Sequence, residues 1–217
     1  MAATGIEAGP AFESRIEDAR LGDTPEIVHV IREGARSAYG GLRVLPGKPG
    51  LPAFLTDLAT RKPREIDAAV RAGRDTLLVQ RIGSGRIVGF AKVGPGESGA
   101  RLLEAWYVLP EFHGTGLARL LMRRAILAAR DRPFYAYTTA GTRGHRAYAK
   151  LGFILAGEAL PTPGPLAAAG LVAPQLRADL PAEARRRLLR TLPPGQASEP
   201  AESQSSRSRI STSGPTD

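Results

Sequence analysis

Ala105-Trp-Tyr-Val-Leu-Pro-Glu-Phe-His-Gly-Thr-Gly-Leu-Ala118 is the stretch on which the reading of this chain turns. An apolar strand, Arg101 to Leu109, ends at Pro110; a short loop carries glycines at 114 and 116; a helix follows at once. In that helix Ala118, Leu121, Met122, Ala125, Ile126 and Ala129 recur at helical spacing and form one apolar face. Arg119, Arg123 and Arg130 are expected to lie away from it. The first amides of a helix have no internal acceptors and carry the positive end of its dipole. Glycines let the backbone turn and let a bulky anion come close to those amides. Strand, glycine loop and helix together make a phosphate site.

Spacing narrows the kind of phosphate. The dinucleotide fingerprint needs a third glycine and an acid about 20 residues further on. Here Gly114-Thr-Gly116 is followed by Leu117, Ala118 and Arg119, and no acid stands between 134 and 140. A P-loop needs Gly-Lys-Ser/Thr, whereas Gly47-Lys48 is followed by Pro49.

Upstream, Phe12 to Arg20 alternates as a first strand. Asp23 or Thr24 caps a helix with Pro25 at its first position, running from Glu26 to Tyr39 and stopped by Gly40-Gly41. Residues 42–53 read as loop, and a second helix, 52–72, is expected to break near Lys62-Pro63. Strands 76–81 and 87–93 form a hairpin around Gly83-Ser84-Gly85 and lead into the strand that ends at Pro110. Downstream, Phe134 to Thr139 is a strand, Thr142 to Leu151 a short helix stopped by Gly152, and Phe153 to Ala156 begins a last strand.

The pattern predicts an α/β chain of the α+β type. Its single domain, residues 12–160, has a central mixed, mostly antiparallel, twisted sheet flanked by helices. Residues 1–11 are expected to be disordered. Pro161, Pro163, Pro165 and Pro174 mark 161–192 as a proline-rich linker ending in a short basic helix, Ala182 to Leu192. The Ser-, Pro- and Gln-rich 193–217 reads as a disordered tail.

Composition sets outer limits. With 217 residues, 42% of them hydrophobic, one well-buried core is within reach. No cysteine is present, which removes disulfides, thiol catalysis and Cys–zinc sites. His29, His113 and His145 show no ligand spacing, so no metal is expected. The start does not read as a signal peptide and no apolar run is long enough to span a membrane, so a cytoplasmic location is expected. The net charge of +9 comes mostly from arginine, and it suits either a polyanionic partner or a compositional bias.

The stretch His113-Gly-Thr-Gly116-Leu-Ala118 resembles the pyrophosphate loop of the GNAT acetyltransferase superfamily: Arg or Gln, two residues, Gly, one residue, Gly or Ala. Val108-Leu-Pro110 is similar to the family's Val-x-Pro. Tyr148-Ala-Lys150-Leu-Gly152-Phe153 looks like its Tyr-x-Lys-x-Gly-Phe ending. Position 113 departs from the pattern in being His, and the Asn that often opens the second motif would fall near Gly141. The resemblance implies an N-acetyltransferase that moves an acetyl group from acetyl-CoA to an amine by direct attack in a ternary complex. It implies that Tyr107, Val108, His113, Gly114, Thr115, Gly116, Leu117 and Ala118 hold the cofactor and that Tyr148 protonates the departing thiolate. A strand N–H would face the oxyanion.

Each candidate has a plainer reading. Tyr148 could be a core tyrosine. Glu104, the one carboxylate inside strand 101–109, could be a general base or an exposed edge acid. Simple alternation puts it on the side of Leu102, Trp106 and Val108. Tyr39 could line the acceptor site or the core. Arg185 to Arg190 reads as a solvated helix. The expected partner is an amine-bearing small molecule or protein, without membrane or nucleic acid, and with homodimerisation left open. Two other functions compete: an acyl-CoA-binding regulatory module of the same fold, and a basic nucleic-acid-binding protein.

Overall fold

A computed structural model describes residues 13–83 and 85–190. The tails expected to be disordered, 1–11 and 193–217, lie outside them. Seven strands form one sheet: β1 (Ser14–Asp18), β2 (Thr76–Ile82), β3 (Arg86–Pro95), β4 (Arg101–Val108), β5 (Phe134–Thr139), β6 (Ile154–Leu160) and β7 (Gln175–Asp179). The helices are α1 (Thr24–Tyr39), α2 (Gly50–Ala72), α3 (Leu117–Ala128), α4 (Arg143–Leu151), α5 (Gly164–Ala168) and α6 (Ala182–Arg190). The order across the sheet is β1-β2-β3-β4-β5-β7-β6, antiparallel everywhere except for the parallel pair β4–β5. That pair is where α3 crosses over, as the expected α+β arrangement requires.

Opposite faces of β4 show how the layers stack. Neighbouring strand residues point to opposite sides. Trp106 donates its Nε1 hydrogen to the Ala118 carbonyl of α3 at 3.1 Å. Tyr107 instead lies against Gly34 of α1. Helix α3 therefore covers one face, and α1, packed on α2, covers the other. The centre of β3 is buried at every residue from Ile87 to Ala91, as a strand covered on both sides must be.

Three expectations change. Helix α2 is not broken at Pro63. It runs unbroken for 23 residues and starts inside the stretch read as loop. A proline inside a helix costs about 3 kcal/mol locally. Here Phe54, Leu55, Leu58 and Ile66 bury one face of the helix, and that outweighs the lost bond. Arg123 is buried rather than on a solvent face.

Of the segment read as a linker, the described part, 161–190, is not one. It contributes α5, the strand β7 and the docked α6. Strand β7 sits between β5 and β6, so the domain extends through residue 190. Pro174 and Pro181 flank β7 rather than interrupt it. Helix α6 buries Ala184 and Leu188, and Arg185 caps α3 through the carbonyls of Arg132 (2.7 Å) and Ile126 (3.2 Å).

Candidate active site

Strands β4 and β5 pair only from Arg101–Phe134 to Leu103–Ala136. Past that point β4 continues to Val108 and β5 to Thr139, and the two strands part. The gap opens into a cleft of about 730 Å³, walled by Glu104 to Val108 on one side and Tyr137 to Thr139 on the other. The main-chain groups that β4 turns towards β5 there have lost their neighbour and need an extended partner.

At its far end the cleft meets the glycine loop. Gly114 and Gly116 have φ of +87° and +88°, and a Cβ on either would meet nothing within 4 Å. Backbone conformation, not crowding, demands glycine there, and the space above stays open. The Thr115 hydroxyl turns inward and donates to the Phe112 carbonyl at 2.7 Å. Among the described residues, the amides of Gly114, Gly116 and Ala118 meet no acceptor. They are orphan donors at a helix start.

His113 is held by its neighbours. Arg143, the first residue of α4, places Nη1 2.7 Å from Nδ1 of His113. A guanidinium has no acceptor, so Nδ1 must accept and Nε2 must carry the hydrogen. That hydrogen goes to the Val108 carbonyl at 3.1 Å. Both ring nitrogens are thus engaged within the protein. The fixed cation at this corner is Arg143, with Arg146 and Lys150 along the same wall. The loop motif could not reveal Arg143, which comes from 30 residues further on.

Four tyrosines line the gap: Tyr39, Tyr107, Tyr137 and Tyr148. Tyr148 of α4 is buried, with Trp106 at 5.4 Å and Phe153 at 5.0 Å between ring centres. Burial, then the charge of Tyr39, pushes its phenol above the ordinary range. Tyr107 is raised well above that range too, first by the charge of Tyr39, then by burial, then by its hydrogen bond with Tyr39. Both phenols therefore keep their protons at neutral pH. Tyr39 packs edge-on to Phe54 at 5.7 Å and also lines the cleft.

Against known proteins, the chain matches the acetyltransferase (GNAT) family over residues 21–153, more than half its length. The chain belongs to the GNAT family. An uncharacterized N-acetyltransferase of Mycobacterium bovis is 38% identical over 77 residues, covering 34% of this chain and 49% of that protein. A counterpart from Mycobacterium tuberculosis matches equally. The chain spans about half the length of these curated relatives. The PaiA N-acetyltransferase of Thermoplasma acidophilum, solved with coenzyme A, superposes with a TM-score of 0.57 at 15% identity, over 77% of this chain and 99% of that one. The spermidine N-acetyltransferase of Vibrio cholerae, solved with CoA and spermine, gives 0.55 at 15% identity, over 80% and 98%. At such identities these structures share the fold.

Within this GNAT domain Glu104 stands apart from the alternation expected of it. Lys92 pairs with Ala105 and Val93 with Leu103, which leaves Glu104 as the extra residue of a bulge. The bulge resets the phase, and Glu104 joins Tyr107 on the α2 side rather than Trp106. Its carboxylate accepts from Lys92 Nζ at 2.6 Å, and Lys92 also pairs with Asp75 at 3.0 Å. Burial lowers the Lys92 ammonium, but its bonds to Glu104 and Asp75 outweigh that and raise it. Gly34 was also missed: a Cβ there would stand 2.6 Å from Tyr107 Cδ1, so only glycine lets α1 lie this close to β4. Among the described residues no group of three or more His, Cys, Asp or Glu could hold a metal, and no helix is long and apolar enough to cross a membrane.

Proposed function

We propose that this GNAT domain catalyses N-acetylation, moving an acetyl group from acetyl-CoA to an amine by direct attack in a ternary complex. One observation carries the reading: the β4–β5 gap ends above the orphan amides of the α3 start. An extended thiol arm fits beside the unpaired edge of β4, and a pyrophosphate fits the amides of Gly114, Gly116 and Ala118. The side chains of Arg143, Arg146 and Lys150 add fixed positive charge around it. Cations and open backbone together suit a nucleotide with several phosphates.

Acetyl-CoA supplies a thioester and the chain's own groups do the rest. The edge of β4 orients the arm and offers an N–H to developing negative charge on oxygen. The N–C bond forms as C–S breaks; the amine loses a proton and the sulfur must gain one. Tyr148 serves the sulfur. A phenol raised by burial is a weaker acid than a free one, so its first contribution is a hydrogen bond to growing negative charge, with transfer following. Glu104, at the mouth of the gap and tied to Lys92, receives the proton from the ammonium side. A cytoplasmic location belongs to the same reading, since that is where acetyl-CoA would be drawn.

Calorimetry with acetyl-CoA, together with thiol release across a panel of amines, tests the proposal. Binding followed by amine-dependent release of CoA is the expected result. Binding without release for any amine would leave a CoA-binding module instead.

A further inference from the structure

A second cavity of about 320 Å³ adjoins the cleft on the α2 side. The two share Tyr39, Glu104, Ala105, Tyr107 and Gln175, so they meet where β4 bulges beside the gap. Resting on the transferase reading above, this is the space open to an acceptor. Its floor is apolar: Ile31, Phe54, Leu58, Ile66, Phe90 and Leu166 all line it and are all buried.

Its charges are the informative part. The lining holds three cations, Arg61, Lys62 and Lys92, against two carboxylates, Glu65 and Glu104. Neither carboxylate is free. Glu65 is bonded by Lys62 at 2.6 Å and also by Arg61. Glu104 is bonded by Lys92 at 2.6 Å. Burial alone would raise the Glu65 carboxyl, but the bonds from Lys62 and Arg61 outweigh it and lower it. A second or third ammonium on an acceptor would find no uncommitted anion here, because Arg61 and Lys92 are already shared with Asp57 and Asp75 as well. A chain such as spermidine, the substrate in the name of one structural neighbour, does not suit this lining.

We infer that the acceptor is a primary monoamine with a compact apolar body, of the size of a phenylethyl or branched alkyl group. Its amine points to the β4 bulge, and its body lies on the floor formed by α1, α2 and Leu166. Ala69 lines only this cavity and is partly buried, so it reports on the body without touching the cleft.

Rates of CoA release with 2-phenylethylamine, 3-methylbutylamine and spermidine test the inference. The two apolar amines should exceed spermidine in kcat/KM by about tenfold or more. Ala69→Phe should raise KM for 2-phenylethylamine while leaving the Kd for CoA unchanged. Arg61→Glu, on the exposed rim, should raise kcat/KM for spermidine relative to wild type by freeing negative charge, and it keeps the inference testable if Ala69→Phe does not fold. Spermidine equal to or better than both apolar amines would overturn the inference and leave the transferase standing. CoA binding without release for all three amines would overturn both.

Discussion

The proposed cofactor end of this site and its proposed acceptor wall are built on different terms. The cofactor end comes from one continuous stretch, β4 through α4. Its working parts there are mostly backbone: the unpaired edge of β4 and the amides around Gly114 and Gly116. The acceptor wall is assembled from α1, α2, the β4 bulge and residues 163–175, and its working parts are side chains. Backbone sites need particular residues only where conformation demands them, so they leave a compact signature in sequence. Side-chain walls drawn from distant segments leave none. The same division is compatible with structural neighbours that share the fold at 15% identity.

The largest expected effect breaks the backbone half outright. Gly116→Glu puts a β-carbon into a positive-φ position and a carboxylate where anionic phosphates belong. Calorimetry should find no measurable CoA binding. Binding as tight as wild type would place the cofactor elsewhere.

Next comes the chemical step. Tyr148→Phe keeps the packing against Trp106 and Phe153 but removes the donor. The turnover rate should fall by about a hundredfold or more with little change in CoA affinity. Equal losses in both would make Tyr148 a packing residue. Because burial raises this phenol, it stays protonated through and beyond its ordinary titration. No loss of rate on its account is expected below about pH 10.

Arg143→Ala tests whether a side chain repairs what the loop lacks at position 113. Losing a charged contact of about 1.5–3 kcal/mol should weaken CoA binding by about tenfold to a hundredfold. The salt dependence of binding should become shallower. An unchanged affinity would return the role to His113 itself.

The smallest effect falls where the two halves meet. Gly34→Ala forces Tyr107 to move, at a cost of about 1–3 kcal/mol. The thermal midpoint should drop, and both the acceptor KM and the Kd for CoA should rise, because Tyr107 borders both cavities. A rise in the acceptor KM alone would show that Tyr107 serves only the acceptor half.

Much of the frame was legible. The Gly-rich turns at 83–85 and 94–99, Pro110 and the apolar face from Ala118 to Ala129 place β2, β3, β4 and α3 through local preferences alone. The exceptions share a cause. Pro63 reads locally as a break, yet α2 continues because Phe54, Leu58 and Ile66 are buried in the core, with α1 as the helix's main packing partner. Gln175 to Asp179 is five residues between prolines, too short to declare itself, and it becomes a strand because β5 and β6 leave a slot for it. Pro163, Pro165 and Leu166 read as linker and turn out to line the second cavity.

By itself, then, the sequence determined the strand–glycine loop–helix unit, because positive φ, helix starts and apolar periodicity are local properties. Only the tertiary structure decided that β4 and β5 part after Leu103, that Arg143 reaches His113, and that Glu104 turns to the α2 side on a bulge. Each of these depends on register and packing between segments tens of residues apart, where no single stretch of chain carries the constraint.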